Sequence, residues 1–318
     1  MLFERESEPR RRARRSCGML VPMRIALIVN SKATRVTEAR VAGVEEALRR
    51  AGMVETFQTN APRHAIALAR EACEKADAIV VFSGDGGYNE VLNGLEHDIP
   101  IGFVPGGGTS VLPRALGLPR EPVAAAAQIA QALEENRQRR ISLGSVNGYR
   151  FAFEAGIGLD AEVVRRVDRL GRDDKGRRPG DYAFVRSLVA VIRERRRNLD
   201  QVLEIRDLGR AAFVVVCNGA PSTFAGPVPL HFAPAARFEL GLDLTAPVRL
   251  HRRSIIRLAM TILTGHAPRS TDALIGHNLD RIEVVCDEPE PLHADGEDLG
   301  DVTSAVFECQ RSAVSVLV

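Results

Sequence analysis

Two glycine-rich segments contain the residues best suited to bind phosphate. The first, SGDGG at residues 83–87, follows an apolar run and precedes a segment with helical spacing. Glycines allow the backbone to approach a polyphosphate closely, and the N–H groups and positive end of the following helix attract anions. A carboxylate at Asp85 would repel phosphate unless it faced Mg²⁺ or a proton to be removed. We therefore expect phosphoryl chemistry at this loop rather than simple anion binding.

A second loop of the same type, GGGTS at residues 106–110, follows the next predicted strand. A single glycine-rich loop is usually a tight turn between a strand and a helix. Two such loops on successive strands of a parallel sheet would face each other across one crevice, which favours a nucleotide site. A dinucleotide fold fits poorly, because the first predicted strand ends in Asn30-Ser31 without glycines. A Walker-type loop is excluded, because none of the three lysines lies in one.

Three acidic residues near the C-terminus form the third candidate. Asp295, Glu297 and Asp298 lie within four positions, around a glycine at 296. Asp-Gly is typical of a two-residue hairpin turn, but three carboxylates on a bare turn would repel one another. Their presence is explained if one carboxylate orders the turn while another faces a metal or acts as a base.

The segments that must position these loops alternate between strand and helix. The predicted strands are 24–29, 54–59, 78–83 and 99–105, and the predicted helices are 36–51, 61–76, 87–96, 111–116 and 122–139. Alternation of this kind predicts a parallel sheet with crossover helices, the doubly wound α/β class.

Beyond about residue 140, short strand-like runs such as 237–244 are separated by turns rich in glycine and proline, with helices at 182–197 and 254–263. This pattern predicts a second, β-rich domain. The expected division is a disordered basic extension at 1–22, an α/β domain at 23–140 that carries the glycine loops, a β-rich domain at 141–300, and a C-terminal segment at 301–318 that returns to the first domain.

Composition and charge argue against several classes of protein. The 318 residues carry 43 Lys and Arg against 41 Asp and Glu, a net charge of +2, so no global charge favours a nucleic-acid partner. The five cysteines are scattered without a C-x-x-C pair, which argues against a disulfide framework and a zinc site. No apolar run approaches the roughly 18 residues of a membrane span. We expect a cytoplasmic protein.

The ordered set of motifs resembles the diacylglycerol kinase catalytic-domain family, which includes sphingosine kinases and soluble bacterial lipid kinases. The resemblance rests on SGDG with Glu90, Asn93 and Gly94, then PxGxT ending at Thr109, then DGE at residues 295–297, and it runs from about residue 24 to the C-terminus. It implies an N-terminal α/β nucleotide domain and a C-terminal β-sandwich domain. In the cleft between them, ATP would donate its γ-phosphate to a hydroxyl of diacylglycerol or a related lipid.

The resemblance also implies roles for individual residues. Glu297 would accept the proton of the lipid hydroxyl, and Asp85 would act through Mg²⁺. The residues that would bind ATP are Asn30, Ser31, Thr59, Ser83, Gly84, Asp85, Gly86, Gly87, Glu90, Gly107, Gly108, Thr109 and Asp295. The implied partners are ATP, Mg²⁺, the lipid substrate and, peripherally, the inner membrane surface. A homodimer is left open.

Several positions depart from the family pattern. Gly87 stands where the family usually has Thr, which removes a hydroxyl from the phosphate loop, and Ser110-Val111 replaces an Asn-Asp pair. The motif of the family's structural metal site is only loosely matched, and Glu239 is the residue that could replace its Asp. His293 is held open as a residue that tunes Glu297. Two alternatives therefore remain: a kinase for a soluble substrate such as NAD, and a catalytically weakened lipid-binding or regulatory protein.

Two basic segments each have two possible roles. The extension at 1–22 is expected to be disordered, and an arm that binds anionic lipid is the alternative. The helix at 182–197 ends in arginines and is expected to pack on the core, with membrane docking as its alternative.

Overall fold

A computed structural model of the chain describes residues 22–171, 186–187, 190–191, 193–194, 201–248, 252–266 and 273–318. The basic extension predicted at 1–22, apart from its last residue, and most of the helix predicted at 182–197 lie outside these ranges.

Four parallel strands form the N-terminal part of the sheet, in the order β4-β3-β1-β2. Their bounds are Arg24–Val29 for β1, Met53–Gln58 for β2, Ala78–Ser83 for β3 and Ile101–Pro105 for β4. Every residue of β3 and all but the first of β1 are buried. Burial on both faces explains why these strands have continuous apolar sequences rather than an alternating pattern.

Helices cover both faces of this sheet. Helices α1 (Glu38–Leu48) and α5 (Pro122–Glu134) share one core with the side chains of Ile25, Leu27 and Val29. Helices α2 (His64–Lys75) and α3 (Asp85–Gly94) share the opposite core with Ala26 and Ile28. Because successive strand residues point to opposite faces, β1 contributes to both cores. A short helix, α4 (Val111–Ala115), follows the second glycine loop.

The start of α3 differs from the sequence prediction. The helix begins at Asp85 with Gly84 as its N-cap, two residues before the predicted start at residue 87. Glycine weakens a helix and so predicts a later start, but the glycines at 86 and 87 lie in its first turn, packed against neighbours that leave little room for side chains.

The remaining strands pair in antiparallel fashion, except where β16 also meets β4. They are β5 (Arg139–Val146), β6 (Tyr149–Phe151), β7 (Glu154–Ile157), β8 (Leu203–Ile205), β9 (Gly209–Ala211), β10 (Val214–Cys217), β13 (Leu242–Pro247), β14 (Ala273–Leu279), β15 (Arg281–Ala294) and β16 (Glu297–Val316), with a separate hairpin of β11 (Thr223–Ala225) and β12 (Val228–Leu230). Two further helices are α6 (Leu159–Arg169) and α7 (Arg252–Thr264). The strand predicted at 237–244 starts later, because Leu240 N–H closes a turn onto the carbonyl of Arg237.

The two parts of the molecule share one sheet. Its path runs β14-β13-β10-β7-β15-β16-β4-β3-β1-β2, and the junction is the parallel pairing of Val316 with Ile101. The C-terminal strands enclose their own core around Ile157, Val214 and Phe307. The predicted class, an α/β nucleotide-type domain followed by a C-terminal sheet domain, is confirmed. Among the described residues, no helix is both long and apolar enough to span a bilayer.

Candidate functional site

The two glycine loops lie against each other at the carboxyl edge of the parallel sheet. The Gly106 N–H donates to the Ser83 carbonyl at 2.7 Å. A Cβ placed on Gly107 would lie only 2.9 Å from Gly84 Cα, so this backbone contact requires glycine. The loops therefore form one continuous surface around the N-terminus of α3.

The first turn of α3 has the geometry of an anion site. Gly84, its N-cap, supplies no side-chain hydrogen bond, and the residues that follow are Asp85, Gly86 and Gly87. The first N–H groups of a helix have no partner within the helix, and the helix dipole is positive at this end. A phosphate placed there would receive hydrogen bonds from the backbone.

Asp85 connects the two loops. Its Oδ1 accepts hydrogen bonds from the N–H groups of Val111 at 2.7 Å and Leu112 at 3.3 Å, at the start of α4. Burial raises the pKa of Asp85 to about 6, and the N–H donors of Leu112 and Val111 oppose that rise. The carboxylate is thus held in one orientation by the loop that faces it.

Ser83 and Gly87 are matched in shape. A Cβ on Gly87 would lie 2.1 Å from Ser83 Oγ and 2.7 Å from Ser83 Cβ. The Ser83 hydroxyl is buried and has no hydrogen-bond partner. The departure at position 87 is therefore accompanied by a serine that fills the space beside it.

The acidic segment forms the turn between β15 and β16. Asp295 and Gly296 have φ values of 47° and 79°, as a type I′ hairpin turn requires. The Asp295 carboxylate accepts four hydrogen bonds: from Asn89 Nδ2 at 2.8 Å and from the N–H groups of Ala152, Phe153 and Glu154 at 2.7, 2.9 and 3.2 Å. Burial raises the pKa of Asp295, and these donors oppose it. Asp295 therefore fixes the turn against both α3 and the β6–β7 connection.

Glu297, two residues later, lies over the first turn of α3. A Cβ on Gly86 would be 3.1 Å from Glu297 Oε1, and Glu297 Oε2 is 3.1 Å from the hydroxyl of Tyr149. Asp298 points elsewhere, because Arg165 binds it with two hydrogen bonds of 2.8 and 3.0 Å. Burial alone would raise the pKa of Asp298, but the Arg165 guanidinium lowers it below the usual value.

Four other residues predicted to bind ATP lie at the ends of neighbouring strands. Asn30 directly follows β1, and its Oδ1 accepts from Lys32 N–H at 3.1 Å. Ser31 is exposed beside it, Thr59 N–H pairs with the Val29 carbonyl, and Thr109 is half-buried in the second loop. Gly108, next to Thr109, is exposed. All of them lie at loop ends of the sheet edge that carries Asp85, and their contacts with ATP stay predictions.

Glu90 has a different environment from the one expected. Its carboxylate accepts from the N–H groups of Arg63 at 3.0 Å and Ala65 at 3.2 Å, at the start of α2. Arg63 is in the left-handed region at φ 64°, and its side chain does not cap the helix. Glu90 therefore caps α2 from the neighbouring helix α3. Its predicted contact with ATP stays a prediction.

Glu239 lies apart from Asp85. It forms an ion pair with Arg139 at 2.5 Å, which lowers the pKa of Glu239. Asp243, the acid that follows it, binds His277 Nδ1 at 2.8 Å. Among the residues that the structure describes, no group of three or more His, Cys, Asp or Glu is arranged to hold a metal ion. The Glu239 carboxylate is engaged by Arg139, and its expected role in a metal site stays a prediction.

The sequence does not reveal the buried partner of His293 behind the hairpin. His293 is fully buried, and its Nε2 lies 2.6 Å from Asp160 Oδ2 on α6. Burial and the nearby Asp160 raise the pKa of Glu154 well above its usual value. His293 pairs across the strands with Asp298 and Gly156, and its expected tuning of Glu297 stays a prediction.

Asn89 and Tyr149 were not among the predicted residues, and Asn93 was named as a motif residue without a role. Asp85, Asn89 and Asn93 are spaced by four residues, which places them on one face of α3. This spacing is a signal that could have revealed the two asparagines. No pattern in the sequence points to Tyr149, because it arrives from β6 across the connection between the two parts of the sheet.

Comparisons with known proteins agree with this geometry. Residues 24–146 match the family described as diacylglycerol kinase catalytic domain. A diacylglycerol kinase of Bacillus subtilis (strain 168) is 34% identical over 150 residues, which cover 45% of this chain and 48% of that protein. The chain therefore aligns with less than half the length of this relative.

Two solved structures share the fold. A crystal structure of a diacylglycerol kinase from Bacillus anthracis str. Sterne has a TM-score of 0.70 at 20% identity and covers 94% of this chain and 98% of that one. An NAD kinase from Archaeoglobus fulgidus in complex with ATP has a TM-score of 0.51 at 16% identity, covering 92% and 93%. Over residues 24–146, the chain is similar to the diacylglycerol kinase catalytic-domain family.

Proposed function

We propose that the protein is an ATP-dependent lipid kinase that transfers the γ-phosphoryl group to a hydroxyl of diacylglycerol or a related lipid. The observation that carries the proposal is the position of the Glu297 carboxylate, 3.1 Å from where a side chain on Gly86 would begin. A base lies beside the helix end best suited to hold phosphates.

In this proposal the two glycine loops bind the phosphates of ATP. Backbone N–H groups at the start of α3 point at the phosphate oxygens, and Gly107 and Gly108 approach from the second loop. Asn30, Ser31, Thr59 and Thr109 contact the rest of the nucleotide. The arrangement supplies positioning and charge stabilisation, which are the main requirements of phosphoryl transfer.

Asp85 is the residue that would hold Mg²⁺. Magnesium is commonly bound by one or two carboxylates together with substrate phosphates and water, and Asp85 is a carboxylate fixed at the phosphate loop by two N–H donors. Asp295 is committed to its four hydrogen bonds. Bound there, the ion would neutralise charge on the phosphates.

Glu297 accepts the proton of the acceptor hydroxyl. The oxygen that loses this proton forms a bond to the γ-phosphorus, the bond from that phosphorus to the β-phosphate oxygen breaks, and ADP leaves. The products are the lipid phosphate and a protonated Glu297, which returns its proton to solvent. General-base assistance of this type contributes roughly 10²–10⁴-fold to rate.

Support for a lipid acceptor comes from the comparisons. The 34% identity to a diacylglycerol kinase favours this reading over a kinase for a soluble acceptor such as NAD.

A kinase assay tests the proposal. Purified protein is incubated with labelled ATP, Mg²⁺ and either diacylglycerol in mixed micelles or NAD. We expect labelled lipid and no labelled NAD. Glu297→Gln should lower kcat by about 10²–10⁴-fold while the KM for ATP changes little.

Glu308→Gln is the matched control, because Glu308 is an exposed residue of the same strand that pairs with Arg281. It should leave kcat unchanged. Phosphorylation of NAD alone would favour the soluble-substrate kinase. Lipid binding with the same background turnover in Glu297→Gln as in the unaltered protein would favour the weakened, lipid-binding protein.

Peripheral contact with the inner membrane surface, in the cytoplasm, is part of the proposal. Met260 and Leu263 on α7 are 53% and 55% exposed, one helical turn apart. If they insert into lipid, replacing both with Asp should reduce co-sedimentation with anionic vesicles. Met53→Asp, at a methionine of β2 that is 63% exposed, should not.

A further inference from the structure

The hydroxyl of Tyr149 lies between two acceptors. It is 2.7 Å from Asn89 Oδ1 and 3.1 Å from Glu297 Oε2. Tyr149 begins strand β6 and is half-buried, so its ring is held by the protein while its hydroxyl reaches the site. A phenol has one proton to donate, and both neighbours compete for it.

The orientation of the Asn89 amide is fixed by its other partners. Its Nδ2 donates to the Arg150 carbonyl at 2.9 Å and to Asp295 Oδ2 at 2.8 Å. Its Oδ1 accepts from Asn93 Nδ2 at 3.0 Å. A flipped amide would place oxygen against a carbonyl and a carboxylate. The atom that faces Tyr149 is therefore an oxygen, which only accepts.

The protonation state of Glu297 decides where the tyrosine proton points. When Glu297 is ionised, Tyr149 donates to its carboxylate. When Glu297 carries a proton, Glu297 donates to the tyrosine oxygen and Tyr149 donates to Asn89. The two states differ by rotation of one hydroxyl hydrogen, and no heavy atom moves.

We propose that Tyr149 is a positioning residue that holds the Glu297 carboxyl group in place both before and after it accepts the proton of the acceptor hydroxyl. This inference rests on the proposed function, because it assigns a task to the same base. The tyrosine does not touch the reacting phosphorus, and it acts only through Glu297.

The surroundings keep the tyrosine in its phenol form. Burial raises the pKa of Tyr149 above its usual value, and the carboxylates of Glu297 and Asp295 add to the rise while Arg63 opposes it. Among the described residues, Glu297, Asp295 and Arg63 are the charged groups that shift the pKa of Tyr149 most. A group that stays protonated across the working range can serve as a neutral donor and acceptor throughout the reaction.

The test is the pH profile of kcat/KM for Tyr149→Phe. A hydrogen bond to an ionised acceptor is stronger than one to a neutral acceptor, so removing the hydroxyl destabilises ionised Glu297 more than its protonated form. We expect the acidic half-maximal pH to rise by roughly half to one pH unit. We expect kcat to fall by roughly three- to tenfold and the KM for ATP to stay within about twofold.

A fluorinated tyrosine at position 149 gives a second, opposite-signed test that preserves the ring. Its phenol is more acidic and donates more strongly, so the acidic half-maximal pH should fall. This variant answers the question even if Tyr149→Phe does not fold. Tyr88→Phe is the control, since the Tyr88 hydroxyl shares its one proton between the carbonyls of Ser83 at 2.7 Å and Val104 at 2.8 Å. It should lower the melting temperature without moving the pH midpoint.

The outcomes separate this inference from the proposed function. An active Glu297→Gln protein contradicts the role of Glu297 as base. An inactive Glu297→Gln protein, together with a pH midpoint and kcat in both Tyr149 variants equal to those of the unaltered protein, overturns the role of Tyr149 alone. Opposite shifts of the midpoint in the two Tyr149 variants support it.

Discussion

A methyl group at position 87 should destabilise the protein, although alanine normally favours a helix over glycine. A Cβ on Gly87 would lie 2.1 Å from Ser83 Oγ and 2.7 Å from Ser83 Cβ. Rotation of the serine side chain removes the first overlap but not the second. Overpacking costs roughly 1–3 kcal/mol, whereas the helix preference of alanine returns up to about 1 kcal/mol. We expect Gly87→Ala to cost about 2 kcal/mol in net free energy of unfolding.

Removal of the serine side chain should cancel that cost. In Ser83→Gly/Gly87→Ala both contacting atoms are gone, so the alanine should stabilise this background by up to about 1 kcal/mol through its helix preference. Ser83→Ala/Gly87→Ala should lie between, because the Cβ contact at 2.7 Å remains. The double-mutant cycle should give a coupling of about 3 kcal/mol between positions 83 and 87, which is the steric cost without the helix preference.

Thermal unfolding without nucleotide measures these effects. A loss of about 2 kcal/mol corresponds to a fall in melting temperature of roughly 3 °C for a chain of 318 residues. Gly108→Ala is the control, since a Cβ on Gly108 would meet no atom within 4 Å. Equal melting temperatures for Gly87→Ala and Gly108→Ala, or no recovery in Ser83→Gly/Gly87→Ala, would refute the steric reasoning.

Two further predictions concern carboxylates whose roles differ from simple ligand binding. Glu90→Ala should cost about 1 kcal/mol of stability, because α2 loses its cap. The KM for ATP should stay within about twofold. A large rise in this KM at unchanged melting temperature would show that Glu90 binds the nucleotide instead. Because burial raises the pKa of Glu154 well above its usual value, the unfolded chain loses this proton first as pH rises, and the native state loses stability from about the ordinary glutamate pKa upward. Glu154→Gln should therefore increase the melting temperature more at pH 8 than at pH 5, and a difference that is constant with pH would contradict this.

Local patterns in the sequence were sufficient for the first half of the fold. Strands β1 and β3 are buried on both faces and have continuous apolar sequences, and the segments between them have helical spacing. Each of these elements is determined by residues adjacent in the chain. The glycine loops and the Asp-Gly turn are equally local, which is why their positions could be predicted.

Long-range contacts could not be predicted in the same way. Glu90 contacts residues 25 and 27 positions away, and its role as a cap depends on how α3 packs against α2. Asp160 and His293 are separated by 133 residues and meet only in the folded sheet. The strand predicted at 237–244 was misplaced because apolar residues there form a turn that buries Phe238 without strand pairing. Periodicity measures burial, and burial does not distinguish a packed turn from a strand.

The three acids of the hairpin, Asp295, Glu297 and Asp298, have different roles. The Asp295 carboxylate, in the left-handed turn, is stabilised by four hydrogen-bond donors that come from both parts of the molecule. Asp298 is neutralised by Arg165 on α6. Since adjacent strand residues point to opposite faces, the turn that sends Asp298 to α6 sends Glu297 to the first turn of α3. The partners of Asp295 and Asp298 reduce the electrostatic repulsion among the three acids. Glu297 contacts the Tyr149 hydroxyl, which can donate to the ionised carboxylate and accept from the protonated one.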